Sequence, residues 1–124
     1  MMTYCARIVA IGLFVADGLA DRMLITFDSS GPNDCLDYSL SLDPTFREEN
    51  LLILPGDRLM LANYDYLVTA VGKEAQRSLF ELGHLTMVFN ASLNACYAKA
   101  VHLSGPVPKL RDLSGNLRIE EGQP

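Results

Sequence analysis

No stretch of this chain holds a helical period for more than about two turns, and that limits its fold more than any other feature. The sequence breaks instead into short runs, each closed by glycine, proline, asparagine or aspartate. Met23–Phe27 (MLITF) is the plainest strand of the first half, and Leu36–Leu42 (LDYSLSL) alternates as a strand with one wet face does. Tyr4–Ile11, Arg58–Ala62, Val68–Val71, Leu85–Phe89 and Ala98–Leu103 read the same way, with Leu117–Ile119 closing the sheet ahead of a polar tail. Between them, Asp28–Asp34 has loop composition, while Pro55-Gly56-Asp57 and Asn63-Tyr64-Asp65 are tight-turn signals. Asp43-Pro44 is expected to end the third run, because proline cannot donate to a ladder.

One unit stands out, Val68 to Phe89. A β-branched run ends at Gly72, and Ala75, Leu79 and Leu82 then fall on one helical face. Gly83 is a natural helix stop, and His84 opens the next strand. The expectation is an all-β fold of about six to seven short strands, a barrel or a sandwich, with one short helix near residues 74–82. Ala16–Asp21 is a turn or a single helical turn. Without long helices alternating with the strands, a doubly wound α/β fold is not expected. No internal repeat or linker is visible, so residues 1–124 are read as one domain.

Composition narrows the function classes. Fifteen acidic residues against ten basic ones give a net charge of −5, which argues against a nucleic-acid binder. Cys5, Cys35 and Cys96 are scattered and odd in number, as in a reducing compartment. They read as small buried or half-buried side chains rather than nucleophiles, and their spacing suits no metal. Ile8–Ala16 is apolar enough to imitate a signal-peptide core, but only Arg7 precedes it as a cation and Gly12 splits it. The run is too short to span a bilayer, so no direct membrane insertion is expected.

Cofactor chemistry finds no support. The glycines are single turn glycines rather than a phosphate-cradling set, and Asp17, Asp21 and Asp28 read as turn formers. His84 and His102 are the only side chains whose ordinary titration suits proton or phosphoryl transfer near neutral pH. Each is either a structural hydrogen-bonder or a working imidazole, and the residues alone leave both readings open.

Four segments in order resemble one family. They are Asp21–Phe27, Val68–Gly72, Glu81-Leu82-Gly83-His84 and Val101–Pro108. Together they are similar to the glucitol/sorbitol-specific enzyme IIA of the bacterial sugar phosphotransferase system, over roughly residues 6 to 119. The resemblance implies a small closed β-barrel in the cytoplasm. It also implies partners: the histidine phosphocarrier protein, which donates a phosphoryl group to a histidine, and the sugar-specific IIB and IIC components, which receive it and import the hexitol. No cofactor and no metal are implied.

The sequence departs from its family at one place. The accepting histidine of family members lies shortly after the tyrosine matched by Tyr38, and here Leu42 stands at that position. The stretch to Pro55-Gly56 is about two residues longer than usual, yet no histidine occurs anywhere before His84. Three readings follow: a diverged IIA-like protein that is impaired or regulatory, an active carrier with His84 or His102 as substitute acceptor, and a non-catalytic barrel that binds a small ligand or a protein. Both imidazoles are expected within reach of the pocket around Leu42.

Overall fold

A computed structural model describes residues 1–122; the end of the polar tail, residues 123–124, lies outside the described residues. The strands are β1 (Met2–Ile11), β2 (Met23–Asp28), β3 (Ser39–Arg47), β4 (Arg58–Leu61), β5 (Tyr64–Val71), β6 (Leu85–Val88), β7 (Ala100–Ser104) and β8 (Asn116–Glu120). They close into a barrel in the order β1-β3-β2-β6-β7-β5-β4-β8, and β8 pairs back onto β1. Short helices α1 (Val15–Ala20), α2 (Asn33–Leu36) and α3 (Ala75–Leu82) sit between strands, with a single 3₁₀ turn at Leu110–Asp112. The all-β barrel is as expected, with more strands than the six to seven counted and more helical turns than one.

Local chemistry accounts for the differences. The expected loop after Asp28 folds partly into α2, which takes Leu36 out of the third strand and delays its start to Ser39. Pro44 does not end that strand. Beyond Leu42 the strand has lost β2 as a neighbour and pairs only with β1, where a register shift sits opposite. A proline there leaves no ladder donor missing. The turn before β5 falls at Ala62–Asn63, with Ala62 left-handed at φ 53°, so Tyr64 and Asp65 belong to the strand.

The barrel carries a repeat that the sequence hides. Exchanging β1 with β5, β2 with β6, β3 with β7 and β4 with β8 leaves every pairing intact, including the two parallel pairs β2–β3 and β6–β7. Backbone hydrogen bonds repeat with it. Gly12 N–H donates to Ser39 O at 2.9 Å and Phe14 N–H to Asp37 O at 2.8 Å; Gly72 N–H donates to Ala100 O and Glu74 N–H to Ala98 O, both at 2.8 Å. In each half a strand runs into a glycine, a short helix crosses over, and the chain returns. Most equivalent side chains differ, although Tyr4 and Tyr64, Ala10 and Ala70, and Leu19 and Leu79 agree, so the repeat is weak in the letters.

The interior is filled from both halves. Leu40, Leu42, Leu59, Leu61, Leu103, Leu117 and Ile119 are wholly buried, as an eight-stranded barrel just wide enough for side chains requires. Two buried tyrosines differ in their hydroxyls. Tyr66 donates to Pro106 O at 2.7 Å, while the Tyr4 hydroxyl has no partner among the described residues.

Candidate functional site

His84 is held by the turn that ends α3. Gly83 is left-handed at φ 64°, and a Cβ there would stand 2.7 Å from the Asp28 backbone nitrogen, so only glycine lets this turn lie against β2. Thr26 Oγ1 donates to Gly83 O at 2.8 Å, and His84 N–H donates to Ser78 O at 3.2 Å. The imidazole lies on the outer wall, half-buried, stacked on Phe27 with ring centroids 5.2 Å apart. With Met23, Thr86, Tyr97, Ala98 and Lys99 it lines a shallow groove of about 340 Å³. Burial first, and then the Lys99 ammonium, push its pKa below the ordinary histidine value. The ring is therefore neutral at pH 7, with hydroxyls and a cation beside it.

His102 is placed quite differently. It alternates with the core residues Val101 and Leu103 and so faces outward on β7, yet it is wholly buried beneath the loop of residues 90–97. Its Nδ1 meets Asn90 Oδ1 at 2.8 Å, while Nε2 accepts the Cys96 backbone N–H at 3.2 Å and lies 3.4 Å from Cys96 Sγ. Burial lowers its pKa too. Both ring nitrogens are engaged.

The three sequence candidates do not converge. Leu42 is inside the barrel, wholly buried, whereas both imidazoles lie on the outer wall. His84 is close to the Leu42 end, since Phe27 precedes Asp28 and Asp28 pairs with Leu42. His102 pairs with Val88 at the far end of β6, roughly 13 Å along the strand from His84 at about 3.3 Å per residue. Asp17 sits within α1 and Asp21 caps its end, while Asp28 accepts from Ser30 at the end of β2, the turn role expected of it. Among the described residues no group of three potential metal ligands comes together.

Comparison with known proteins decides the family. The model of the "PTS system glucitol/sorbitol-specific IIA component" family matches residues 3–118. The chain belongs to that family. Glucitol/sorbitol-specific EIIA components of Shigella flexneri and Escherichia coli are each 38% identical to it over 105 residues, which is 85% of this chain and 84% of theirs. The crystal structure of a PTS system IIA component from Enterococcus faecalis is similar with a TM-score of 0.73, covering 96% of this chain and 99% of that one. Its identity is 20%, so it speaks for the barrel alone. No helix among the described residues is long and apolar enough to cross a membrane.

Several site residues escaped the sequence reading. Lys99, Thr86 and Tyr97 meet His84 only because β6 and β7 pair in parallel, with Thr86 opposite Ala100, and that pairing has no local signature. Cys96 is exposed rather than buried or half-buried, as Cys5 and Cys35 are. Its contact with His102 follows from the path of the intervening loop. The one readable hint was the polar turn at Asn90, whose side chain bonds the Ser92 backbone N–H at 3.0 Å.

Proposed function

We propose that this single IIA-type unit serves the glucitol/sorbitol phosphotransferase system in the cytoplasm as a binding component that does not accept a phosphoryl group in the usual way. The observation that carries this reading is Leu42, a side chain with no nucleophilic atom, wholly buried where the family resemblance puts the acceptor. The hydroxyls nearby offer no replacement. Ser39 Oγ donates to Cys35 O and Thr45 Oγ1 to Cys5 O, and neither meets an imidazole. What such a protein keeps is its outer surface, for the phosphocarrier and the IIB component.

A second reading rests on His84. Its ring is neutral, half-exposed and free of side-chain hydrogen bonds among the described residues, with Lys99 beside it to balance phosphoryl charge. His102 is disfavoured as an acceptor because it is wholly buried beneath the loop, out of reach of a donor protein. One experiment separates the readings: incubate the chain with phosphoenolpyruvate, enzyme I and the phosphocarrier, and look for an acid-labile, base-stable label. No label, with phosphocarrier or IIB binding retained in a calorimetric titration, supports the binding role. Stoichiometric label lost in His84→Ala establishes the substitute carrier.

A further inference from the structure

We infer that Cys96, His102 and Asn90 form a nucleophilic thiol site on the outer wall, with Cys96 as nucleophile toward small disulfides, His102 as its base and Asn90 as a positioning residue. The loop of residues 90–97 is tied down over β5 and β7. Ala91 N–H donates to Leu103 O at 3.0 Å, and Thr69 Oγ1 donates to Ser92 O at 2.6 Å. That anchorage holds Cys96 Sγ 3.4 Å from His102 Nε2. Cys96 itself is exposed while the imidazole beneath it is wholly buried. Cys96 is thus an exposed residue set over a buried base.

The hydrogen bonds fix the tautomer. Asn90 Oδ1 already accepts the Ser92 N–H at 3.0 Å, so the amide oxygen rather than the amide nitrogen faces His102. Nδ1 at 2.8 Å must then carry the proton and donate it. This leaves the Nε2 lone pair pointing at Cys96, where the backbone N–H of the same residue also meets it at 3.2 Å. Thiol, imidazole and amide in this order are the arrangement by which cysteine hydrolases ready their nucleophile. A carbonyl substrate would further need donors around a developing oxyanion in a cleft, and Cys96 is not among the residues lining the His84 groove. Disulfide exchange needs only open access to sulfur, which this position offers.

The step balances without an added oxidant. As Cys96 Sγ attacks one sulfur of a disulfide RSSR, its proton passes to His102 Nε2. The S–S bond breaks, RS⁻ departs, and the imidazolium returns the proton to give RSH and a Cys96–SR mixed disulfide. The added group would stand beside Tyr97, the wall of the His84 groove. This inference is independent of whether the protein carries a phosphoryl group.

Oxidised glutathione and a chromogenic aromatic disulfide test it, on the full chain with Cys5 and Cys35 changed to serine. In the folded protein at pH 7, Cys96 should react at least about 10-fold faster than in the same chain unfolded in urea, where thiol reactivity is that of an unassisted cysteine. His102→Gln should remove the advantage. Asn90→Leu should do so as well, and Asn90→Asp, which still accepts from Nδ1, should restore it. A folded-state rate no higher than the unfolded one overturns the inference, even if His102→Gln fails to fold. Equal rates in the parent and a folded His102→Gln or Asn90→Leu protein also overturn it, reducing the contacts to a loop tether.

Discussion

Replacing Gly72 by alanine should destabilise the barrel by about 2–3 kcal/mol, and Gly12→Ala should do the same by about as much. A Cβ on Gly72 would sit 2.3 Å from the carbonyl oxygens of both Tyr97 and Ala98; one on Gly12 would sit 2.2 Å from Leu36 O and 2.5 Å from Asp37 O. These obstacles are backbone, so the crossing segment must withdraw by roughly an ångström. The hydrogen bonds that hold it, Gly72 N to Ala100 O and Glu74 N to Ala98 O, then stretch or break. Each is worth about 1 kcal/mol net, with strain in the packed wall adding about 1–2 kcal/mol. The stiffer unfolded chain of an alanine variant returns about 0.4–1 kcal/mol. For a chain of this size the result is a Tm lower by roughly 10 °C. Urea unfolding followed by circular dichroism, with m unchanged, measures it. If either variant unfolds within about 0.5 kcal/mol of the parent, the close crossovers and the two-fold reading of the barrel are wrong.

Tyr4→Phe should stabilise the protein by about 1–2 kcal/mol, because it removes a buried hydroxyl that lacks a partner among the described residues; denaturant midpoints decide the sign. Leu42→Ala should cost about 2–5 kcal/mol in the same assay, as expected of a wholly buried leucine and not of a side chain in an open acceptor pocket. Both histidines have folded pKa values below the ordinary 6.5, so the unfolded chain binds more protons just below that pH. Stability should therefore fall as pH drops through 6.5 towards the folded midpoints and level off below them, and Lys99→Met should raise the His84 midpoint in an NMR titration.

The barrel was legible because short alternating runs and turn residues are local signals. The α3 helix, its Gly83 stop and the position of His84 at the start of β6 were readable for the same reason. The internal two-fold was not, because it lives in backbone hydrogen bonds at Gly12 and Gly72, while most of the side chains around them differ. Pro44 misled because a proline is judged against a two-sided strand, and β3 is one-sided there. At the candidate site, the identities of His84, His102 and Leu42 were readable but their placement on opposite sides of the wall was not. Inward and outward faces alternate along each strand, and a one-residue change of register exchanges them.

This scaffold should carry no phosphoryl group under phosphotransfer conditions. Phosphorus NMR of the chain, after exposure to phosphoenolpyruvate, enzyme I and the phosphocarrier at neutral pH, tests that most directly. The predicted spectrum has no phosphohistidine resonance on this protein, while the histidine phosphocarrier in the same sample shows one. A stoichiometric phosphohistidine signal on this chain would contradict the account.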